Sequence, residues 1–130
     1  MTDLRDHWLD YLASLNDRRL DELGAHVHDR IAFNGQPVTL ADYAAAIAGN
    51  IAVVPDFHWS VEDLVVQGDT VAVRLTDTGT PTGTWLGIPP TGAGFAIAEW
   101  ALYRYRDDRI ASMHFLLDVP AAREQLGAAE

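Results

Sequence analysis

Apolar residues recur at helical spacing near the N-terminus, and from Pro55 onward they alternate with polar ones. In "LRDHWLDYLASL", Leu4, Trp8, Tyr11, Leu12 and Leu15 fall at i, i+4, i+7, i+8 and i+11, one stripe of an amphipathic helix. A further turn or two is predicted through Arg19–Leu23, ending at Gly24. His26 and His28 then occupy a polar loop between helix and strand, and "NGQP" (34–37) is a turn. "TLAD" (39–42) resembles a capping box, with Thr39 as N-cap and Asp42 in place of the usual Glu. It opens a helix that presents Leu40, Tyr43, Ala44 and Ile47.

After Pro55 the period is two. "DFHWSVEDLVV" and "TVAVRLTDTGT" are predicted strands joined by the tight turn "QGD" (67–69). A Gly/Pro-rich connection, "PTGTWLGIPPTGAG", leads to the strand "AIAEWALYRYR" (96–106), the turn "DD" (107–108) and the strand "RIASMHFLL". Asp118 caps a short last helix, with Pro120 tolerated in its first turn. Helices first and a long antiparallel meander afterwards predict an α+β fold, its curved antiparallel sheet wrapped around the N-terminal helices. At 130 residues the chain, 1–130, is expected to form one domain with a single core.

Two strands carry an acid on their apolar face. In 96–106, Ala96, Ala98, Trp100, Leu102, Arg104 and Arg106 share one face, and Ile97, Glu99, Ala101, Tyr103 and Tyr105 the other. In the strand before it, Asp77 shares a face with Val71, Val73 and Leu75. A hairpin closing near Gly87–Ile88 makes paired residue numbers sum to about 175, which sets Asp77 opposite 97–99. Burial and like charge then raise one carboxyl pKa, leaving one protonated and one ionised group, a workable general acid and base. The other reading is structural: Glu99 hydrogen-bonds a Tyr or Trp and fixes packing.

The composition narrows the chemistry. The formal charge of −10 disfavours nucleic acid and anionic membranes as partners. All nine cations are arginines and there is no cysteine, so Schiff bases, thiolate catalysis and disulfides are excluded. The three serines, Ser14, Ser60 and Ser112, stand in no nucleophile motif, and no phosphate-binding glycine loop occurs. His26 and His28 lack a third ligand at a recognisable spacing, so no metal site is expected. An acidic N-terminus and the lack of a long apolar run lead to the expectation of a cytoplasmic protein.

"GTWLGIPPTG" (83–92) closely resembles a segment of the SnoaL-like polyketide (ester) cyclases, a family of the nuclear-transport-factor-2-like superfamily. "HVHDRIAFNGQP" (26–37), "VPDFHWSVEDLVVQGDTVAVRL" (54–75) and "YRYRDDRIASMHFLLD" (103–118) are similar to further parts of that family. The resemblance implies a cone-shaped half-barrel whose cavity holds a flat apolar ligand, and homo-oligomers (dimers or tetramers) packed through the sheet. It also implies intramolecular aldol closure of a polyketide ester without metal or cofactor. Aligned on "RI" of "DDRI", the family's acid/base Asp falls at Phe115, its supporting His at Ala101, and a further His at Pro81.

With those positions changed, Glu99 and Asp77 are the candidate catalytic pair for cyclisation, isomerisation or lyase-type proton transfer on an apolar carbonyl compound. Tyr11, Phe57, Trp59, Trp85, Tyr103 and Phe115 are candidate cavity lining, and His28 stands where loops reach the cavity mouth. His114 points away by alternation, and Asp118 serves its helix first. The alternative is a non-catalytic small-molecule binding or accessory protein of the same fold, consistent with Phe115 and Ala101 at the family's Asp and His positions.

Overall fold

A computed structural model of the chain describes residues 3–127. Helix α1 spans Leu4–Asn16, and the Asp3 carboxylate accepts the Arg5 backbone N–H at 2.9 Å to cap it. Its stripe buries Trp8, Tyr11, Leu12 and Leu15. A 3-10 helix, Leu20–Ala25, follows. Strands β1 (Val27–Phe33) and β2 (Gln36–Thr39) form a hairpin whose turn residues Asn34 and Gly35 both have positive φ. Helix α2 (Leu40–Val53) starts where the Thr39 hydroxyl accepts the Asp42 N–H at 3.1 Å.

The long strands come next: β3 (His58–Gln67), β4 (Thr70–Gly79), β5 (Phe95–Arg106) and β6 (Arg109–Leu117). Helix α3 (Val119–Gln125) closes the described chain, capped by the Asp118 carboxylate, which accepts the Ala121 N–H at 3.1 Å. The six strands form one curved, unclosed sheet in the order β2-β1-β6-β5-β4-β3. Helices α1 and α2 cover its concave face, and the buried cluster lies between the layers. No helix among the described residues is long and apolar enough to cross a membrane.

The sheet is not a pure antiparallel meander, because β1 enters it parallel to β6. His26 occupies the turn between the 3-10 helix and β1, but His28 lies within the strand and not in a polar loop. The backbone bond from Ile110 N–H to the His26 carbonyl (2.8 Å) anchors the start of β1, and Val27 beside it is fully buried. Two flanking histidines and a following Asp-Arg pair hide the start of this strand, since Val27 and its next apolar residue, Ile31, are four positions apart.

In β4 and β5 the alternation is strict, with every second residue buried. Pairs across them sum to 174, from Thr70↔Arg104 to Gly79↔Phe95. Bulges interrupt β3 between Val61 and Asp63 and the β5–β6 ladder beyond Arg104, so the β4–β5 register is unbroken where the two acids lie.

Candidate active site

The register places Asp77 opposite Ile97 and Glu99 opposite Leu75. The two acids are therefore diagonal neighbours on the concave face. On its other side Asp77 pairs with Trp59 of β3, so Ile97 and Trp59 wall it off from water. Asp77 is 0% exposed, and neither of its carboxyl oxygens receives a hydrogen bond from an N–H or O–H of the described protein.

Burial pushes the Asp77 carboxyl well above the usual carboxylate range, and the neighbouring Glu99 carboxyl pushes it the same way. Burial raises Glu99 too, while Asp77 beside it pulls it back. Both directions favour the protonated form at Asp77, the more deeply buried of the two acids, and leave Glu99, at the cavity wall, as the member that ionises more readily.

Glu99 lines a cavity of about 220 Å³ between the helices and the sheet. Asp77 lies behind that wall. Tyr11, Phe57, Trp59, Trp85, Tyr103 and Phe115 line the cavity, as the aromatic pattern suggests. His28 does not. Its side chain lies against Arg106, with Nε2 donating to the Arg106 carbonyl at 2.6 Å, because β1 is a strand there and not a loop near the cavity mouth. His114 points outward and is exposed. Ala101 and Phe115 face each other across β5–β6.

Sequence reasoning placed Tyr43 only on a helix stripe, and did not single out Asn50 or Phe33; all three line the cavity. The Tyr43 and Tyr11 hydroxyls are hydrogen-bonded to each other. Tyr103 adds a third ring, 5.8 Å from that of Tyr11. Burial raises the pKa of all three phenols; the neighbouring tyrosines raise Tyr11 further, Tyr11 pulls Tyr43 and Tyr103 back in part, and the charge of Glu99 raises Tyr43 and Tyr103. Asn50 accepts the Trp85 indole N–H at 2.8 Å, tying the Gly/Pro-rich connection to α2. Backbone bonds from Trp85 to Ile88 (2.9 Å) and back (2.8 Å) close a turn around Leu86 and Gly87. Both central residues have positive φ, the two-residue hairpin geometry that glycine favours. Trp85 then stacks on Phe95, with ring centroids 4.2 Å apart, and Leu86 reaches the cavity.

No cluster of three or more His, Cys, Asp or Glu among the described residues is arranged to hold a metal ion. His26 is held apart by Ser14, whose Oγ lies 3.2 Å from its Nε2.

Helices packed on the concave face of an open, curved sheet, with a pocket between them, define the nuclear-transport-factor-2-like class of α+β cones. Within it, the chain belongs to the SnoaL-like polyketide cyclase family, whose model matches residues 5–126. A SnoaL-like polyketide cyclase from Agrobacterium tumefaciens is 33% identical, with 98% of this chain and 100% of that chain covered and a TM-score of 0.92. TsrD from Streptomyces laurentii is 26% identical over 99% of this chain and 100% of its own, with a TM-score of 0.88. IdmH from Streptomyces antibioticus is 25% identical over 98% and 100%, with a TM-score of 0.86. Among curated proteins, none matches the chain.

Proposed function

We propose that this chain acts as one SnoaL-like domain that moves a proton at the carbon α to a carbonyl in a small polyketide-like ligand. Glu99 is the base, and Asp77 holds the partner proton. The carrying observation is a buried Glu99 carboxyl at the wall of an apolar, aromatic-walled cavity, with a second buried acid, Asp77, diagonal to it. Burial raises the Glu99 carboxyl above the usual carboxylate range and so makes its ionised form a stronger base, and its position on a central strand holds it steady. Ring closure, isomerisation and elimination all begin with this proton transfer. A 220 Å³ cavity is small beside the roughly 300–1,000 Å³ of drug-sized sites, which favours a ligand of one or two rings. The acidic, cysteine-free chain suits work in the cytoplasm without metal or cofactor.

The test uses 2-tetralone as a probe and follows hydrogen–deuterium exchange at its α carbons in D2O by NMR. The wild type accelerates exchange, and Glu99→Gln loses about 100-fold or more while still binding the ketone. Equal rates with and without Glu99, alongside retained binding, would instead make the chain a non-catalytic binder.

We also propose that two copies associate through the outer face of the sheet. Trp100 and Leu116 are cross-strand partners on that face, 59% and 73% exposed, and Ala72 and Leu102 extend the apolar strip.

A further inference from the structure

The three tyrosines that converge on the cavity come from three separate elements, α1, α2 and β5. Tyr11, Tyr43 and Tyr103 are 1%, 4% and 6% exposed, and all three line the cavity that Glu99 also lines. Bringing three phenols into an apolar core costs desolvation at each hydroxyl, a cost that packing alone does not require when phenylalanine fills the same space. Trp8 packs edge-on against Tyr103 at 5.6 Å and tilts against Tyr11 at 6.2 Å, which fixes both rings.

A count of hydrogens shows what the cluster has left to offer. Three hydroxyls carry three hydrogens. The Tyr11 and Tyr43 hydroxyls are bonded to each other, which uses one hydrogen, and the Tyr103 ring lies 5.8 Å from that of Tyr11. Among the described residues no other acceptor is bonded to any of the three, so at least one hydrogen remains for an acceptor in the cavity. The described cavity lining includes no Arg, Lys or His. An oxygen that gains negative charge in this pocket therefore has these phenols as its strongest donors.

We infer that the Tyr11–Tyr43–Tyr103 hydroxyls form an oxyanion-binding site for the oxygen of an enolate or phenolate. This rests on the reading of Glu99 as base and deepens it. In the step, the Glu99 carboxylate takes the proton from the α carbon or, in a conjugated ketone, from the γ carbon at the far end of the enone. The C–H electron pair becomes the new carbon–carbon π bond and, in the conjugated case, the enone's own π pair shifts one bond towards the carbonyl carbon. The carbonyl π pair moves onto oxygen, where the free phenol hydrogen meets it. The carboxyl pair then holds two protons and no charge, so the anion is not opposed by its own base. Glu99 and Tyr103 lie four residues apart on one face of β5, about 13 Å between Cα atoms at the usual rise, with only the methyl of Ala101 between them on that face. The oxygen thus sits several bonds from the acidic carbon. The ligand class that suits this is a conjugated one, a vinylogous ketone or a compound that becomes a phenol, in which charge made at one end is carried to the other.

The test reads binding without turnover. Glu99→Gln imitates the protonated acid, and 4-nitrophenol is the probe because the colour of its phenolate reports ionisation directly. Glu99→Gln binds the phenolate at least tenfold more tightly than Glu99→Gln/Tyr43→Phe and Glu99→Gln/Tyr103→Phe do. Thermal melts confirm that each double variant is folded, and either one alone suffices. Affinities within twofold across these variants, or no phenolate binding at millimolar probe, overturn the inference. Ketone exchange that depends on Glu99 with no discrimination by the tyrosines sinks this inference alone. Phenolate held by the tyrosines in a chain that exchanges no ketone sinks the base reading alone.

Discussion

Asp77 and Glu99 meet on a diagonal of the β4–β5 ladder, Asp77 opposite Ile97 and Glu99 opposite Leu75. A direct pairing would give two equivalent acids. The diagonal gives unequal ones, Asp77 sealed behind Trp59 and Ile97, and Glu99 at the cavity wall. Burial favours the protonated form of the sealed acid because no N–H or O–H of the described residues is placed to take the place of water around its charged form.

This arrangement makes stability fall as pH rises. Both carboxyls have pKa values raised in the folded state, so the folded chain binds more protons than the unfolded one above the ordinary carboxylate range near pH 4. The stabilisation is fully present below that value and drains away as pH climbs through neutrality towards the raised values. Asp77→Asn keeps a donor to Glu99 and no longer takes up a proton on folding. Urea unfolding from pH 5 to 9 is expected to find Asp77→Asn the more stable at high pH, with a gap that widens by up to about 1.4 kcal/mol per pH unit. Parallel profiles would mean that Asp77 ionises like an ordinary carboxylate.

The Asn50–Trp85 bond holds the connection between β4 and β5 against α2. Asn50→Leu leaves the buried indole N–H of Trp85 without its acceptor. The expected cost is about 1–3 kcal/mol of stability, measured by thermal or chemical unfolding. Trp85→Phe in the same background removes the orphaned group, so the double variant should recover part of that loss. No recovery would mean that the asparagine acts through helix packing.

Most of this arrangement was legible in the sequence because strand alternation is local. The faces of Asp77 and Glu99 follow from counting by two, and the β4–β5 register from one turn midpoint. What was hidden depends on distant partners. β1 buries only Val27 and Ile31 fully among its apolar residues, and it becomes a strand through Ile110 and Met113, some eighty residues away. His28 therefore sits against Arg106 and not at the cavity. Tyr43 was visible as one member of a helix stripe, but nothing local says that its hydroxyl meets that of Tyr11, 32 residues earlier.

Gly79 shows how tightly the end of β4 is packed. A Cβ there would run into Val54 Cγ1, and Val54 is fully buried. Gly79→Ala is expected to cost about 1–3 kcal/mol through overpacking, and Val54→Ala combined with it should recover much of that by making room. Urea unfolding of the two single variants and the double variant measures the coupling. Strict additivity would place the strain elsewhere.

The outer face offers the last expectation. Trp100 is exposed on β5 beside Leu116 on β6, and the Arg74 guanidinium lies 5.9 Å from the centre of the Trp100 ring. A large exposed aromatic next to an exposed leucine is costly in water and is relieved when a second copy covers both. Each copy also carries a formal charge of −10, which opposes association at low salt. Sedimentation should therefore find a dimer that tightens between low and moderate ionic strength, and Leu116→Lys should weaken it about tenfold or more while leaving the thermal melt of the monomer within a few degrees. A wild-type chain that stays monomeric at high concentration and moderate salt would leave the outer face as ordinary surface, and the cavity would then have to work without a second copy.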